Sequence, residues 1–319
     1  MQAILAVTVP FFALVLCGYL AGRIGLLPEL AIPGLNVFVL YFALPCMLFR
    51  FGASLPVAEI VNPSVIVITL LAATLLMIAT IALTRSDTMP MKDAALGALT
   101  VAWPNTGFMG VPMLAALLGP AAAGPVITTL LVDLFFTSSL CIALAQSQSA
   151  DGSGIRVGRL LKGTLANPLP AAIALGLVFS ALSLRLPGPI DTIVKMLGDS
   201  ATPVALFTIG TVLWRAGLHV HTRTPLRRFL PLALAKLLAH PLLVLVLGLA
   251  AMQIGAPLAP SVLTVIVLAA SLPSASAVSL LAERYGADNG RIARVIISST
   301  VIASVTFPLL AWLFDVRPG

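Results

Sequence analysis

Long apolar runs, separated by short polar segments, dominate the hydrophobic pattern of this 319-residue chain. A helix needs about 20 apolar residues to cross a bilayer. Ten runs meet that requirement, at 3–22, 32–51, 64–84, 94–118, 125–146, 166–184, 190–214, 228–252, 260–283 and 292–314. The pattern predicts an all-α polytopic membrane protein with ten transmembrane helices.

Two of the runs, the fourth and the ninth, contain an interruption near the middle. Proline lacks a backbone N–H and clashes with the preceding turn, and glycine adds little helical preference. A broken helix in lipid is tolerated only where protein or a water-filled cavity receives its free backbone groups. Such a pair of interrupted helices indicates the binding site of a transporter. The predicted substrate-binding residues are Pro104, Asn105, Thr106, Gly107, Pro273, Ser274, Ala275 and Ser276.

Each break creates a half-helix whose N-terminus carries unpaired N–H groups and a partial positive charge. We expect those donors near Asn105, Thr106 and Gly107, and near Ser274, Ala275 and Ser276. Two such ends can bind a carboxylate without any lysine or arginine. The alternative is that these residues only satisfy the broken backbone.

The charged residues are few, at 9% of the chain, and the net charge is +7. In a membrane protein, basic residues mark cytoplasmic loops, so we expect no nucleic-acid partner. The odd-numbered connections between helices hold most of them: Arg23, Arg85, Lys92, Arg156, Arg159, Lys162, Arg215, Arg223, Arg227, Arg228, Arg284, Arg291 and Arg294. The opposite side has Arg50, Arg185, Lys195 and Arg317. This bias predicts an inner-membrane protein with both termini on the non-cytoplasmic side.

The chain divides into two halves of five helices, at 1–148 and 166–319, joined by a Gly/Ser-rich cytoplasmic linker at 149–165. An odd number of helices per half forces opposite orientations, so two halves of one fold would form an inverted repeat. A fixed offset of 158 positions pairs several residues, among them Pro10 with Pro168, Gly18 with Gly176, Pro45 with Pro203, Phe49 with Phe207 and Gly52 with Gly210. We expect Pro45 and Pro203 to kink their helices or act as hinges.

Ionisable residues inside a membrane are costly and are functional candidates. Lys236 and His240 lie four apart on one helical face, and Asp133 lies near the middle of the fifth helix. An Asp133–Lys236 ion pair would either change during transport or hold two helices together statically. Alternatively, Lys236 would help to attract an anion. Lys195 and Asp199, also four apart, predict an interfacial pair.

Enzyme signatures are missing from the sequence, which contains no HExxH, GxSxG, GxxxxGK[ST] or CxxC motif. We therefore expect no catalytic residues, no cofactor and no metal site. The three cysteines lie scattered in apolar runs and predict no disulfide framework.

The residues 104–112, Pro-Asn-Thr-Gly-Phe-Met-Gly-Val-Pro, resemble the fourth-helix motif of the auxin efflux carrier family. Residues 272–276 and 281–286 resemble the ninth-helix motif of its bacterial, malonate- and malate-permease-like branch, and 166–168 and 202–207 also match. The resemblance implies two inverted five-helix repeats, as in sodium/proton antiporters and bile-acid symporters. It also implies a scaffold of helices 1, 2, 6 and 7, often dimeric, and a transport domain of helices 3–5 and 8–10.

The expected function is secondary transport of a small organic anion by elevator-like alternating access, with the substrate at the two breaks. Protons are a possible coupling ion, and sodium is a less favoured one because Asn105 is the only acidic or amide residue in either break. Two alternatives remain open: a cation/proton antiporter of the same architecture, and a membrane sensor that binds a small molecule without moving it.

Overall fold

Helices account for the whole architecture of the described residues, which in a computed structural model are 1–87, 89–147, 168–218 and 224–316. The helices are α1 (Gln2–Arg23), α2 (Ala31–Ser54), α3 (Pro63–Thr84), α4 (Met91–Ala102), α5 (Thr106–Leu118), α6 (Pro120–Gln146), α7 (Pro168–Ala181), α8 (Gly188–Leu218), α9 (Leu230–Gln253), α10 (Pro260–Ala270), α11 (Ala277–Arg284) and α12 (Asn289–Leu313). Short helical turns at Val57–Ile60 and Leu226–Arg228 precede α3 and α9. Each helix lies on one of the ten predicted apolar runs.

Seven helical segments in the described ranges are long and apolar enough to cross a membrane, judged by length and composition. They correspond to α1, α2, α3, α6, α8, α9 and α12, and three shorter apolar helices are α5, α7 and α10. Two of the shorter helices are halves of the interrupted runs. The all-α, multi-pass class is therefore confirmed, whereas the count of ten crossings stays a prediction. The predicted linker at 149–165, and residues 166–167 at the expected start of the sixth run, lie outside the described residues.

Glycines allow two pairs of helices to approach at backbone distance. A Cβ added to Gly18 in α1 would lie 1.9 Å from the carbonyl oxygen of Phe207 in α8. A Cβ added to Gly176 in α7 would lie 2.5 Å from the carbonyl oxygen of Phe49 in α2. Contacts this short are impossible for real atoms, so any larger side chain must push the helices apart.

Replacing Gly18 with alanine is expected to destabilise the protein, because the α1–α8 contact is between backbone and backbone and has no side chain that could move aside. Overpacking a tight contact costs about 1–3 kcal/mol. Gly34→Ala in α2 is the matched control, since an added Cβ there meets nothing within 4 Å. Thermal unfolding in detergent should show a lower midpoint for Gly18→Ala and an unchanged or higher one for Gly34→Ala. Equal midpoints would contradict the close packing.

Three prolines share one local arrangement, in which the proline lies two residues after a π-helical turn. They are Pro45 after Val39–Ala43, Pro112 after Thr106–Gly110 and Pro241 after Ala235–Ala239. The wider turn accommodates a residue that cannot donate to the usual carbonyl. Pro45 thus follows a π turn, whereas Pro203 lies within the continuous helix α8. The predicted role of both prolines as kinks or hinges stays a prediction.

Candidate functional site

The two interrupted helices cross each other at their breaks. Residues 103–105, between α4 and α5, run antiparallel to residues 271–276, between α10 and α11. The backbone N–H of Asn105 donates to Pro273 O at 2.9 Å, and the N–H of Ala275 donates to Trp103 O at 3.0 Å. We call these two paired segments the crossover. Its reciprocal hydrogen bonds satisfy backbone groups that the broken helices would otherwise leave unpaired.

Hydrogen bonds that involve hydroxyl groups connect the crossover to two neighbouring helices, α4 and α12. Ser274 Oγ donates to the carbonyl oxygen of Thr100 in α4 at 2.7 Å. Ser299 in α12 accepts from the Ser274 N–H at 3.2 Å, and its hydroxyl lies 3.3 Å from Ser274 Oγ. The Ser274 side chain therefore helps to hold the crossover together, and its predicted contact with substrate stays untested.

The free backbone donors lie one or two residues further along than the sequence predicts. Four of the six predicted N–H groups are already bonded, because the breaks pair with each other and with nearby acceptors: those of Asn105, Thr106, Ser274 and Ala275. The N–H groups without a hydrogen-bond partner among the described residues are those of Gly107, Phe108, Ser276 and Ala277. Each half-helix N-terminus therefore still presents two donors, as an anion site requires.

Three polar side chains at the crossover have no hydrogen-bond partner in the described part of the chain. The Asn105 side chain, only 4% exposed, makes no bond to protein, and Thr106 Oγ1 is fully buried without one. Ser276 Oγ is likewise unbonded. Buried polar groups without partners are costly, so each unpaired group in a native fold needs an explanation. A polar ligand bound at the crossover would supply the missing partners.

Lys236, in the π turn of α9, contacts the residue that immediately precedes the 271–276 segment of the crossover. It is 0% exposed, and its Nζ donates to the carbonyl oxygen of Ala270 at 2.5 Å. Ala270 is the last residue of α10, so the lysine caps the negative end of that half-helix. Nζ also lies 3.0 Å from His240 Nδ1, which confirms that the two residues share a face. The His240 ring in turn interacts with the backbone of Val101 near the end of α4.

Asp133 lies in the π turn of α6 and is fully buried. Its Oδ1 accepts a hydrogen bond from Thr137 Oγ1 at 3.1 Å, while Oδ2 has no partner among the described residues. The direct Asp133–Lys236 ion pair considered from the sequence is not formed, because Lys236 Nζ is held by Ala270 O and His240. The two side chains nevertheless lie close enough to influence each other electrostatically.

Sequence reasoning missed two supports of the site, Thr100 and Ser299. The available signal was the triplet Ser298-Ser299-Thr300, which interrupts the apolar pattern of the last helix. The sequence also did not reveal that Arg291, at the start of α12, is buried: its side chain is 2% exposed and its Nε donates to Arg228 O at 2.8 Å. Its predicted place on the cytoplasmic side stays a prediction. In the described ranges, no group of three or more His, Cys, Asp or Glu side chains is arranged to hold a metal ion.

Comparison with known proteins identifies the family of the chain. A family profile described as "Membrane transport protein" matches residues 3–153 and 156–311. The chain is 28% identical over 332 residues to a Rhizobium meliloti protein named "Putative malonate transporter", covering 100% of this chain and 98% of the relative. It is also 28% identical over 305 residues to an "Uncharacterized transporter" of Methanothermobacter thermautotrophicus, covering 93% of each. These matches confirm the resemblance to auxin efflux carriers, and they are to transporters rather than enzymes. The chain belongs to this membrane transport protein family.

Proposed function

We propose that the protein is a secondary transporter of small organic anions, with a mono- or dicarboxylate such as malonate or malate as substrate. The observation that carries the proposal is the crossover, where two half-helix N-termini present free N–H groups beside the unbonded side chains of Asn105 and Thr106. The donors suit a carboxylate, and the amide suits a second polar group of the substrate. The name of the Rhizobium relative supports malonate as the first candidate.

We further propose that the chain is an inverted repeat of residues 1–148 and 166–319. The offset of 158 positions relates Gly18 to Gly176 and Gly52 to Gly210. Gly18 and Gly210 lie in the α1–α8 contact, and Gly176 and Gly52 lie in the α7–α2 contact. A two-fold exchange of the halves would turn one contact into the other, which supports the assignment.

The division into a scaffold and a transport domain follows the same logic. In this proposal α1, α2, α7 and α8 form the scaffold, which also provides a homodimer interface, and the remaining helices carry the crossover. Movement of the transport domain against the scaffold would give elevator-like alternating access. The bias of basic residues favours both termini on the non-cytoplasmic side of an inner membrane.

We also propose that Asp133, Lys236 and His240, which lie next to the crossover, couple transport to protons. The unpaired Asp133 Oδ2 also favours a second candidate function, cation/proton antiport, because a buried carboxylate oxygen can accept a proton or a cation. The antiporter candidate is weaker, since neither crossover segment contains an acidic residue.

Uptake of labelled malonate into proteoliposomes distinguishes these functions. Unlabelled malate, succinate, monocarboxylates and indole-3-acetate serve as competitors, with and without an imposed pH gradient. We expect saturable malonate uptake that malate suppresses, and a response to the gradient would support proton coupling. Sodium- or proton-driven flux with no organic anion would favour the antiporter instead. Saturable binding without flux would favour a sensor.

A further inference from the structure

A cavity of about 650 Å³ lies between α2, α7 and α8, away from the crossover itself. Its walls include Arg50 at the end of α2, Arg185 after α7, and Asp191 and Asp199 in α8. Pro112 of α5 also lines it, two residues beyond the π turn that follows the first break. The cavity therefore reaches the half-helix that carries the proposed substrate site, from the side opposite to most basic loops. Its volume is within the range of small-molecule sites.

Among the described residues, the charges in this cavity are one ion pair, Arg50 with Asp199, one unpaired cation, Arg185, and one unpaired carboxylate, Asp191. Arg50 Nη1 lies 3.2 Å from Asp199 Oδ1, and the two side chains are 38% and 61% exposed. Arg185 makes no hydrogen bond or ion pair with any described residue. An exposed ion pair is weak and easily exchanged, whereas a guanidinium prefers a carboxylate that it can bind through two parallel hydrogen bonds.

We propose that this cavity is an outer binding site for the carboxylate substrate, in which Arg50 and Arg185 bind the anion and Asp199 competes with it for Arg50. The inference rests on the proposed transport of organic anions. Each entering carboxylate displaces Asp199 from Arg50, and the Asp199–Arg50 pair forms again when the anion moves on towards α5. Asp199 acts only through Arg50 and is therefore a positioning residue, whereas the two arginines contact the substrate.

The proposal predicts opposite effects for the two members of one ion pair. Arg50→Gln removes a ligand of the substrate and should raise the KM for malonate about tenfold, as should Arg185→Gln. Asp199→Asn removes the competitor and should lower the KM about threefold, which is the scale of a surface ion pair. In all three variants kcat should change little, because the crossover is intact.

The test measures initial rates of malonate uptake into proteoliposomes for these variants and for Lys195→Gln. The control removes a positive charge from the same end of α8 at an exposed position that does not line the cavity. Shifts of KM in opposite directions for Arg50→Gln and Asp199→Asn, with wild-type behaviour of Lys195→Gln, would support the outer site. Equal or same-direction shifts would overturn it and leave a structural pair. Absence of carboxylate uptake by the wild-type protein would instead contradict the proposed function.

Discussion

Lys236→Met is expected to abolish malonate uptake and to lower the thermal stability of the protein. Methionine fills a similar volume but cannot donate to Ala270 O, so the end of α10 loses its cap inside the protein. The change also removes the basic group that interacts electrostatically with the buried Asp133 carboxyl group. Losing a buried charged donor of this kind costs about 3 kcal/mol.

A second variant separates the two contributions. Adding Asp133→Asn to Lys236→Met should recover part of the lost stability, because the carboxylate without a compensating charge is then gone. The cap at Ala270 would still be missing, so uptake should stay low. Unfolding midpoints in detergent and uptake rates give both readouts, with Lys195→Met as the exposed control. A Lys236→Met protein as stable and active as wild type would show that the lysine is dispensable.

Asn105→Ala is expected to reduce malonate uptake by at least about tenfold while leaving the fold intact. The Asn105 carboxamide makes no bond to the described protein, and the backbone bonds of this residue to Pro273, Met109 and Gly110 survive the substitution. A lost hydrogen bond to a charged ligand accounts for an effect of this size. Uptake kinetics and unfolding midpoints are measured side by side.

Ser274→Ala is the contrasting variant at the facing segment. Its hydroxyl already bonds to Thr100 O, so alanine should lower stability by about 1 kcal/mol, with the smaller effect on uptake. Normal uptake by Asn105→Ala would rule out the carboxamide as a substrate ligand. A collapse of uptake by Ser274→Ala at unchanged stability would transfer that role to the serine.

Local signals determined what the sequence could predict about the fold. The apolar runs predict the helices because burial in lipid imposes their length. Both breaks were located correctly because proline and glycine act within a turn or two of their own position. Prediction of the free backbone N–H groups was less accurate. The pairing of residues 103–105 with 271–276 joins segments about 170 residues apart, so it cannot be inferred from local sequence.

The partners of the charged residues were also not predictable from local sequence. The i, i+4 spacing favours Lys195 as the partner of Asp199, yet the structure pairs Asp199 with Arg50. The reason is the close packing of α8 on α2, where a Cβ on Gly198 would lie 3.3 Å from the Met47 backbone. Likewise, Lys236 was identified as unusual by its position in an apolar run, but its partner Ala270 O is a backbone atom that no residue type reveals.

The crossover is held by main-chain hydrogen bonds, and this has a consequence for how such carriers can diversify. The bonds between Asn105 and Pro273, and between Ala275 and Trp103, use no side-chain atom. A substitution at residue 105 or 275 by any residue other than proline therefore removes no atom that forms these bonds. If the crossover side chains bind the substrate as proposed, the main-chain framework is separate from the groups that select it, and a change of substrate requires no new architecture.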